Sequence, residues 1–162
     1  MKKKYNSKFA PMGIVLGVLL LVIIAYFSIK IPQTQTDTNQ TKTFRSTSIM
    51  KFSIDLPNGY KAQEKLGSVT ISTPNGVLYI DRNGTNFIQL EDYIKDLGVK
   101  NKFVLTNKKS LRINGLETIT GIVGKEKLYF IYSNYAIYTL SAKDEVMYNA
   151  LDQIAKSFRY SP

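Results

Sequence analysis

Three patterns divide the chain. Residues 9–29 carry no charge, and Gly13 to Ile29 is almost unbroken apolar sequence. A run with no polar face belongs in a bilayer or a deep core. About 20 residues at ~1.5 Å each span the ~30 Å hydrocarbon layer, so residues 9–30 read as one transmembrane helix. Residues 31–44 lose all apolar periodicity, and ten of those fourteen are Thr, Gln, Asn or Asp. Such a segment buries too little surface to order itself and predicts a flexible spacer. From residue 45 to 162 short β-rich runs alternate with Asn-Gly pairs, at Asn58-Gly59, Asn75-Gly76, Asn83-Gly84 and Asn114-Gly115. Asn-Gly suits the positive φ values of tight hairpin turns.

Within that third part, Phe52, Ile54 and Leu56 alternate along a first strand. Val69 and Ile71 mark a second, Val77 to Ile80 a third, and Phe103 to Thr106 opens a fourth. Leu116 to Val123, Leu128 to Tyr132 and Ala136 to Leu140 follow in succession, with Ser133-Asn134 as the last turn. These three predict an antiparallel meander. Two helices interrupt the β pattern. Phe87, Leu90, Tyr93, Ile94 and Leu97 recur at helical spacing before Gly98, a predicted C′ residue. Met147, Ala150, Leu151, Ile154 and Phe158 form one apolar stripe. Ser141 and Asp144 are read as its capping pair, with Lys156 and Arg159 where the helix dipole favours cations. The expected fold class is α+β: an antiparallel sheet of about six to seven strands packed with helices.

Flanking charge orients the apolar segment. Lys2, Lys3, Lys4 and Lys8 precede it without an acid, and Lys30 is the only cation for the next eleven residues. The positive-inside rule puts residues 1–8 in the cytoplasm as a basic tail and residues 45–162 outside the cell membrane. A cleaved signal peptide needs small residues before the cut. Tyr26, Phe27, Ile29 and Ile31 crowd that region instead, and without Cys there is no lipobox. A type IV pilin carries an acid just inside its apolar helix; here none occurs before Asp37. The reading is an uncleaved, single-pass signal-anchor.

Four strings in the outer domain resemble PsbP/Mog1-like domains. Phe52-Ser53-Ile54-Asp55-Leu56-Pro57 with Gly59-Tyr60 is similar to their opening strand. Gln89-Leu90-Glu91-Asp92-Tyr93-Ile94 resembles their first helix, and Ile113-Asn114-Gly115 a following hairpin. Tyr138-Thr139-Leu140-Ser141 and the closing Ile154-Ala155-Lys156-Ser157-Phe158-Arg159 resemble their C-terminal strand and helix. The resemblance covers residues 49–160. It implies the same α+β fold, in a group that includes a photosystem subunit, a Ran-binding protein and many bacterial membrane-attached proteins. This chain looks like the last kind. No metal or Ran-binding site of the group has counterparts here.

Composition narrows the chemistry. The chain has no Cys, His or Trp. That removes disulfide scaffolds, Cys/His zinc sites and every Ser-His or Cys-His arrangement. No loop has EF-hand spacing or a phosphate-cradling glycine pattern, so no cofactor is expected. The net charge is +10, and residues 45–162 hold 16 Lys/Arg against 11 Asp/Glu. Residues 95–112 concentrate it: Lys95, Lys100, Lys102, Lys108, Lys109 and Arg112 against Asp96. A local basic surface attracts acidic proteins, anionic polymers or lipid headgroups; equally, lysines protect an edge strand from unwanted pairing. No nucleic-acid module is present. The aromatic run Tyr129, Phe130, Tyr132, Tyr135 and Tyr138 puts Tyr129 and Phe130 on opposite faces of one strand.

The expected function is therefore a non-enzymatic, membrane-anchored binding or accessory domain. Lys100, Lys102, Lys108, Lys109, Arg112 and Tyr129 are the candidate partner-binding residues, for a protein or an anionic envelope polymer. Two other classes stay open. A hydrolase acting on envelope material would use paired carboxylates. A structural subunit would use the membrane helix itself, where Gly13 and Gly17 allow close packing.

Overall fold

The computed structural model describes residues 41–162. The basic tail 1–8, the membrane segment 9–30 and residues 31–40 of the spacer lie outside the described residues. Among the described residues no helix is long and apolar enough to cross a membrane.

Ten strands and two α-helices make up this part. In chain order they are β1 (Lys42–Arg45), β2 (Phe52–Leu56), β3 (Lys61–Lys65), β4 (Ser68–Thr73), β5 (Gly76–Gly84), α1 (Leu90–Asn101), β6 (Thr106–Ile113), β7 (Leu116–Val123), β8 (Glu126–Ser133), β9 (Ala136–Ala142), a 3₁₀ turn (Glu145–Met147), α2 (Tyr148–Ser157) and β10 (Arg159–Tyr160). Seven strands form one antiparallel sheet in the order β3-β4-β5-β9-β8-β7-β6, and β1-β2-β10 form a second. The expected meander is present and longer than its three strands, running β6-β7-β8-β9.

The period of two along β8 feeds two cores. Tyr129 and Ile131 pack on one face with Ile54, Tyr138, Leu151, Ile154 and Phe158. Leu128 and Phe130 pack on the other with Leu90, Ile94, Ile119 and Ile137. So α2 and the small sheet share one face of the large sheet, and α1 covers the other. The larger core centres on three rings: Phe158 lies 5.2 Å from Phe52 and 5.0 Å from Tyr138, centroid to centroid.

Several local expectations are corrected. Order begins before residue 45: β1 lies mostly inside the expected spacer, held by pairing to β2 and by Phe44 against Phe52 at 6.2 Å. One aromatic in four residues was too short a pattern to read. The first expected strand, β2, belongs to the small sheet. Strand β3 (KAQEK) gave no signal, because its only apolar residue is Ala62. Helix α1 runs through Gly98 to Asn101, and Lys102 takes the left-handed cap at φ 51°. A Cβ at Gly98 would sit 3.3 Å from the Phe103 carbonyl oxygen, a tight contact that glycine avoids. Phe87 precedes the helix, against Tyr93 at 6.0 Å. The fourth strand starts at Thr106, while Phe103 and Leu105 pack on the α1-side core. Asn83-Gly84 is paired in β5 rather than turning. The last turn is Asn134-Tyr135, with φ values of 47° and 56°. Ser141 is buried in β9, and Asp144 alone caps the 3₁₀ turn by accepting from the Val146 N–H at 3.4 Å.

Candidate functional site

Strand β6 ends the large sheet, so its outer row of N–H and C=O groups has no strand partner. All its residues except Ile113 are exposed. A register shift between Thr106 and Lys109, with Asn107 at φ 51°, bulges the strand. Bulges and lysines both discourage edge-to-edge aggregation.

Half of the basic cluster of the sequence is paired with acids of α1. Lys100 pairs with Asp96 at 2.8 Å, Lys95 with Asp92 at 3.7 Å, and Lys108 with Glu91 across the two elements. Arg112 donates to the Gly115 carbonyl at 3.0 Å, closing its own hairpin. Among the described residues Lys102 and Lys109 make no ion pair. Alternation separates them further: Lys108 faces α1, whereas Lys109 stands opposite Thr120, which stands opposite Tyr129, on the α2 face.

That cross-strand row opens into a cleft of ≈ 260 Å³ between β6, β7, β8 and α2. Asn107, Lys109, Thr120, Lys127, Tyr129 and Asp152 line it. Asp152 is its only carboxylate and is fully engaged. Lys127 Nζ lies 2.6 and 2.9 Å from its two oxygens, and the Tyr129 hydroxyl donates to it at 2.8 Å. Lys127 also lies over the rings of Tyr129 and Tyr148, at 5.9 and 5.4 Å from their centroids. Burial and the neighbouring Asp152 carboxylate push the Tyr129 phenol up to about 12. It is therefore a fixed neutral donor at physiological pH. The cleft presents one carboxylate already neutralised, one lysine ammonium committed to it, and a second ammonium, Lys109, at the mouth.

Of the six residues expected to bind a partner, the structure brings Lys109 and Tyr129 together. Lys100 and Lys108 are committed to α1 acids, Arg112 to a carbonyl, and Lys102 caps the helix. Tyr129 is corrected as a contact surface: it is only 7% exposed, because its face of β8 packs against α2. Lys127, Thr120 and Asp152 were missed. Their roles depend on register between β6, β7 and β8 and on the seat of α2, which spacing along one strand does not encode.

Gly121 keeps the cleft's back wall thin. A Cβ at this position would meet Leu105 Cγ at 2.5 Å and the Thr106 carbonyl oxygen at 2.8 Å. The chain leaving α1 thus crosses directly over β7. At the other end of β6 the Asn114-Gly115 turn, with φ values of 48° and 83°, is pinned to α2. Asn114 Nδ2 donates to the Phe158 and Lys156 carbonyls at 2.8 and 3.2 Å.

No family model matches the chain, and no curated protein does. Among solved structures, the chain is similar to the solution structure of cyanobacterial PsbP (CyanoP) from Synechocystis sp. PCC 6803. The TM-score is 0.51 at 13% identity, over 78% of this chain and 95% of that one. The fold is PsbP-like, as the sequence resemblance implied.

Proposed function

We propose that the chain is a single-pass, membrane-anchored accessory protein whose PsbP-like domain binds an acidic partner outside the cell, without catalysis. The observation that carries this reading is the Lys109 ammonium, unpaired at the mouth of a cleft whose sole carboxylate, Asp152, is already taken by Lys127 and Tyr129. An acidic side chain or an anionic polymer group entering there would meet Lys109 without displacing an internal acid. The PsbP-like fold is consistent with an accessory domain. The anchor rests on the uncharged run 9–29 behind four lysines.

The test places a photo-crosslinking residue at Asn107 of the full chain in its native membrane. A discrete adduct is expected, lost with Lys109→Glu and with raised salt, and kept with Lys156→Glu. An adduct indifferent to Lys109→Glu would remove the cleft as the binding site. An Asp152→Asn protein that hydrolyses envelope polymer less well than the parent would instead favour the enzyme reading.

A further inference from the structure

One end of the large sheet carries a feature that the cleft does not use. The β3–β4 hairpin turns at Leu66-Gly67, with φ values of 50° and 80°, and the β8–β9 hairpin turns at Asn134-Tyr135. Both two-residue loops have φ > 0 throughout, a geometry that favours Asn and Gly. Leu66 and Tyr135 nevertheless occupy left-handed positions, and they are 96% and 67% exposed. A large side chain there adds backbone strain while Leu66 buries almost nothing and Tyr135 keeps two thirds of its surface exposed, so folding alone does not account for either. Strain retained at an exposed position points to function.

The two tips lie at the same end. The Arg82 N–H donates to the Gly67 carbonyl, and Arg82 stands opposite Tyr138, three residues past Tyr135. With strand order β3-β4-β5-β9-β8, the turn centres are about three strand spacings apart across the sheet, roughly 14 Å, and about three residues apart along the strands, roughly 10 Å. The loop between β1 and β2 joins them: Tyr138 donates its hydroxyl to the Met50 carbonyl at 2.7 Å, and neighbouring Ile49 is exposed. Arg45, Lys51 and Lys65 lie close to these residues in the chain, against Glu64 and Asp81, whereas the Arg82 side chain is turned toward Tyr138 with its Nε buried. Glu64 is engaged at the surface, accepting from the Thr47 N–H at 2.8 Å and from the Thr47 hydroxyl. The other exposed hydrophobics, Val77, Ile88, Val99, Val104, Leu111 and Val146, do not lie in two-residue hairpin turns.

We infer that the Leu66 and Tyr135 tips, with Ile49, dip into the interface of an anionic lipid bilayer and hold the domain against it. Apolar side chains at turn tips with cations behind them match the headgroup boundary, where apolar groups enter and lysines meet anionic lipid. The occupant is a bilayer because the same chain supplies one. The uncharged run 9–29 ends only 12 residues before the described part begins at Thr41, a reach of at most about 40 Å when extended. The inference rests on the membrane-anchor reading and is independent of the cleft.

The chain has no Trp, so a single substitution provides a clean reporter. Full-length Leu66→Trp, Tyr135→Trp and Val99→Trp proteins are reconstituted in vesicles of phosphatidylglycerol mixed with acyl-brominated phosphatidylcholine. Bromine quenching of at least about twofold is expected at positions 66 and 135, with little at 99. Adding Lys51→Glu and Lys65→Glu should lower the quenching at both tips. Unquenched tips, or quenching equal to that at 99, in a chain that floats with the vesicles after alkaline carbonate washing would overturn the inference alone. A chain that the wash strips from the vesicles would overturn the anchor reading, and this inference with it. Far-ultraviolet circular dichroism identical to the parent qualifies each variant for comparison.

Discussion

The Tyr129 hydroxyl donates to Asp152 at 2.8 Å, joining β8 to α2 beneath the cleft. With burial, that contact raises the phenol to about 12, whereas an unfolded tyrosine ionises near 10. The sign follows from which state keeps the proton. Below pH ~10 both states are neutral and the full stability is present. As pH rises from about 10 to about 12 the unfolded chain loses the proton first, and stability falls by on the order of 2–3 kcal/mol. In a phenolate absorbance titration the Tyr129→Phe protein should lack one late-titrating tyrosine and lose less stability over that window. Asp152→Asn should lower the midpoint of that tyrosine while leaving it above the ordinary value, because burial persists. A Tyr129 that titrates with the exposed tyrosines would contradict the geometry of the cleft floor.

Gly121 tests the back wall. Gly121→Ala places a methyl group 2.5 Å from Leu105 Cγ and 2.8 Å from the Thr106 carbonyl oxygen. Overpacking of this kind costs about 1–3 kcal/mol. The Leu105→Ala, Gly121→Ala double variant should recover part of the loss, since the Leu105 side chain yields and the backbone oxygen does not. Chemical denaturation of the four proteins gives the coupling; strict additivity would mean the two residues do not touch.

What the sequence disclosed divides along a physical line. Periodic burial was readable: the stripe from Met147 to Ile154 became α2, and Leu116 to Leu140 became the meander. Asn114-Gly115 turned as its φ preference dictates, yet Asn83-Gly84 did not, because β9 pairs with it. Strands β1 and β3 escaped notice because an edge strand needs only one or two apolar residues and takes its order from a neighbour. The basic segment was visible as composition, but its pairing was not. Lys108 meets Glu91 seventeen residues away, and only tertiary placement leaves Lys109 unpaired at the mouth of the cleft. For the same reason Tyr129 could be assigned to a face, though not the helix that covers it.

The small sheet gives an acid-side prediction. Arg159 donates to Asp55 at 3.0 Å and Thr43 donates to the same carboxylate, also at 3.0 Å. The Arg159 contact holds the Asp55 carboxyl below its usual value, against the opposing effect of burial and with lesser help from Thr43. A lowered carboxyl contributes stability that is present above the ordinary carboxylate range and is lost as pH falls through its own titration. Arg159→Ala should therefore raise the Asp55 midpoint, read from its carboxyl carbon shift, and shift acid unfolding to higher pH. The pair is half-exposed, so the stability change at neutral pH should stay under about 1 kcal/mol. An unmoved Asp55 midpoint would show that Arg159 does not engage it in solution.

The strained turns make the last prediction, and it separates folding from function. Leu66→Gly and Tyr135→Gly remove a side chain that is 96% or 67% exposed from a backbone conformation that costs a non-glycine residue about 1–2 kcal/mol. Against this stands the greater unfolded-state entropy of glycine, about 0.5–1 kcal/mol. The net is a gain of up to about 1 kcal/mol at each turn, or a few degrees in Tm for a domain of this size. Most single substitutions destabilise, so a rise at both tips would be a distinctive result in differential scanning calorimetry of the full chain. The same two variants should hold the domain less firmly on anionic vesicles, because the side chains proposed to enter the interface are gone. A fall in Tm at either position would mean that the Leu66 or Tyr135 side chain supports the fold after all, and its exposure would lose its functional meaning.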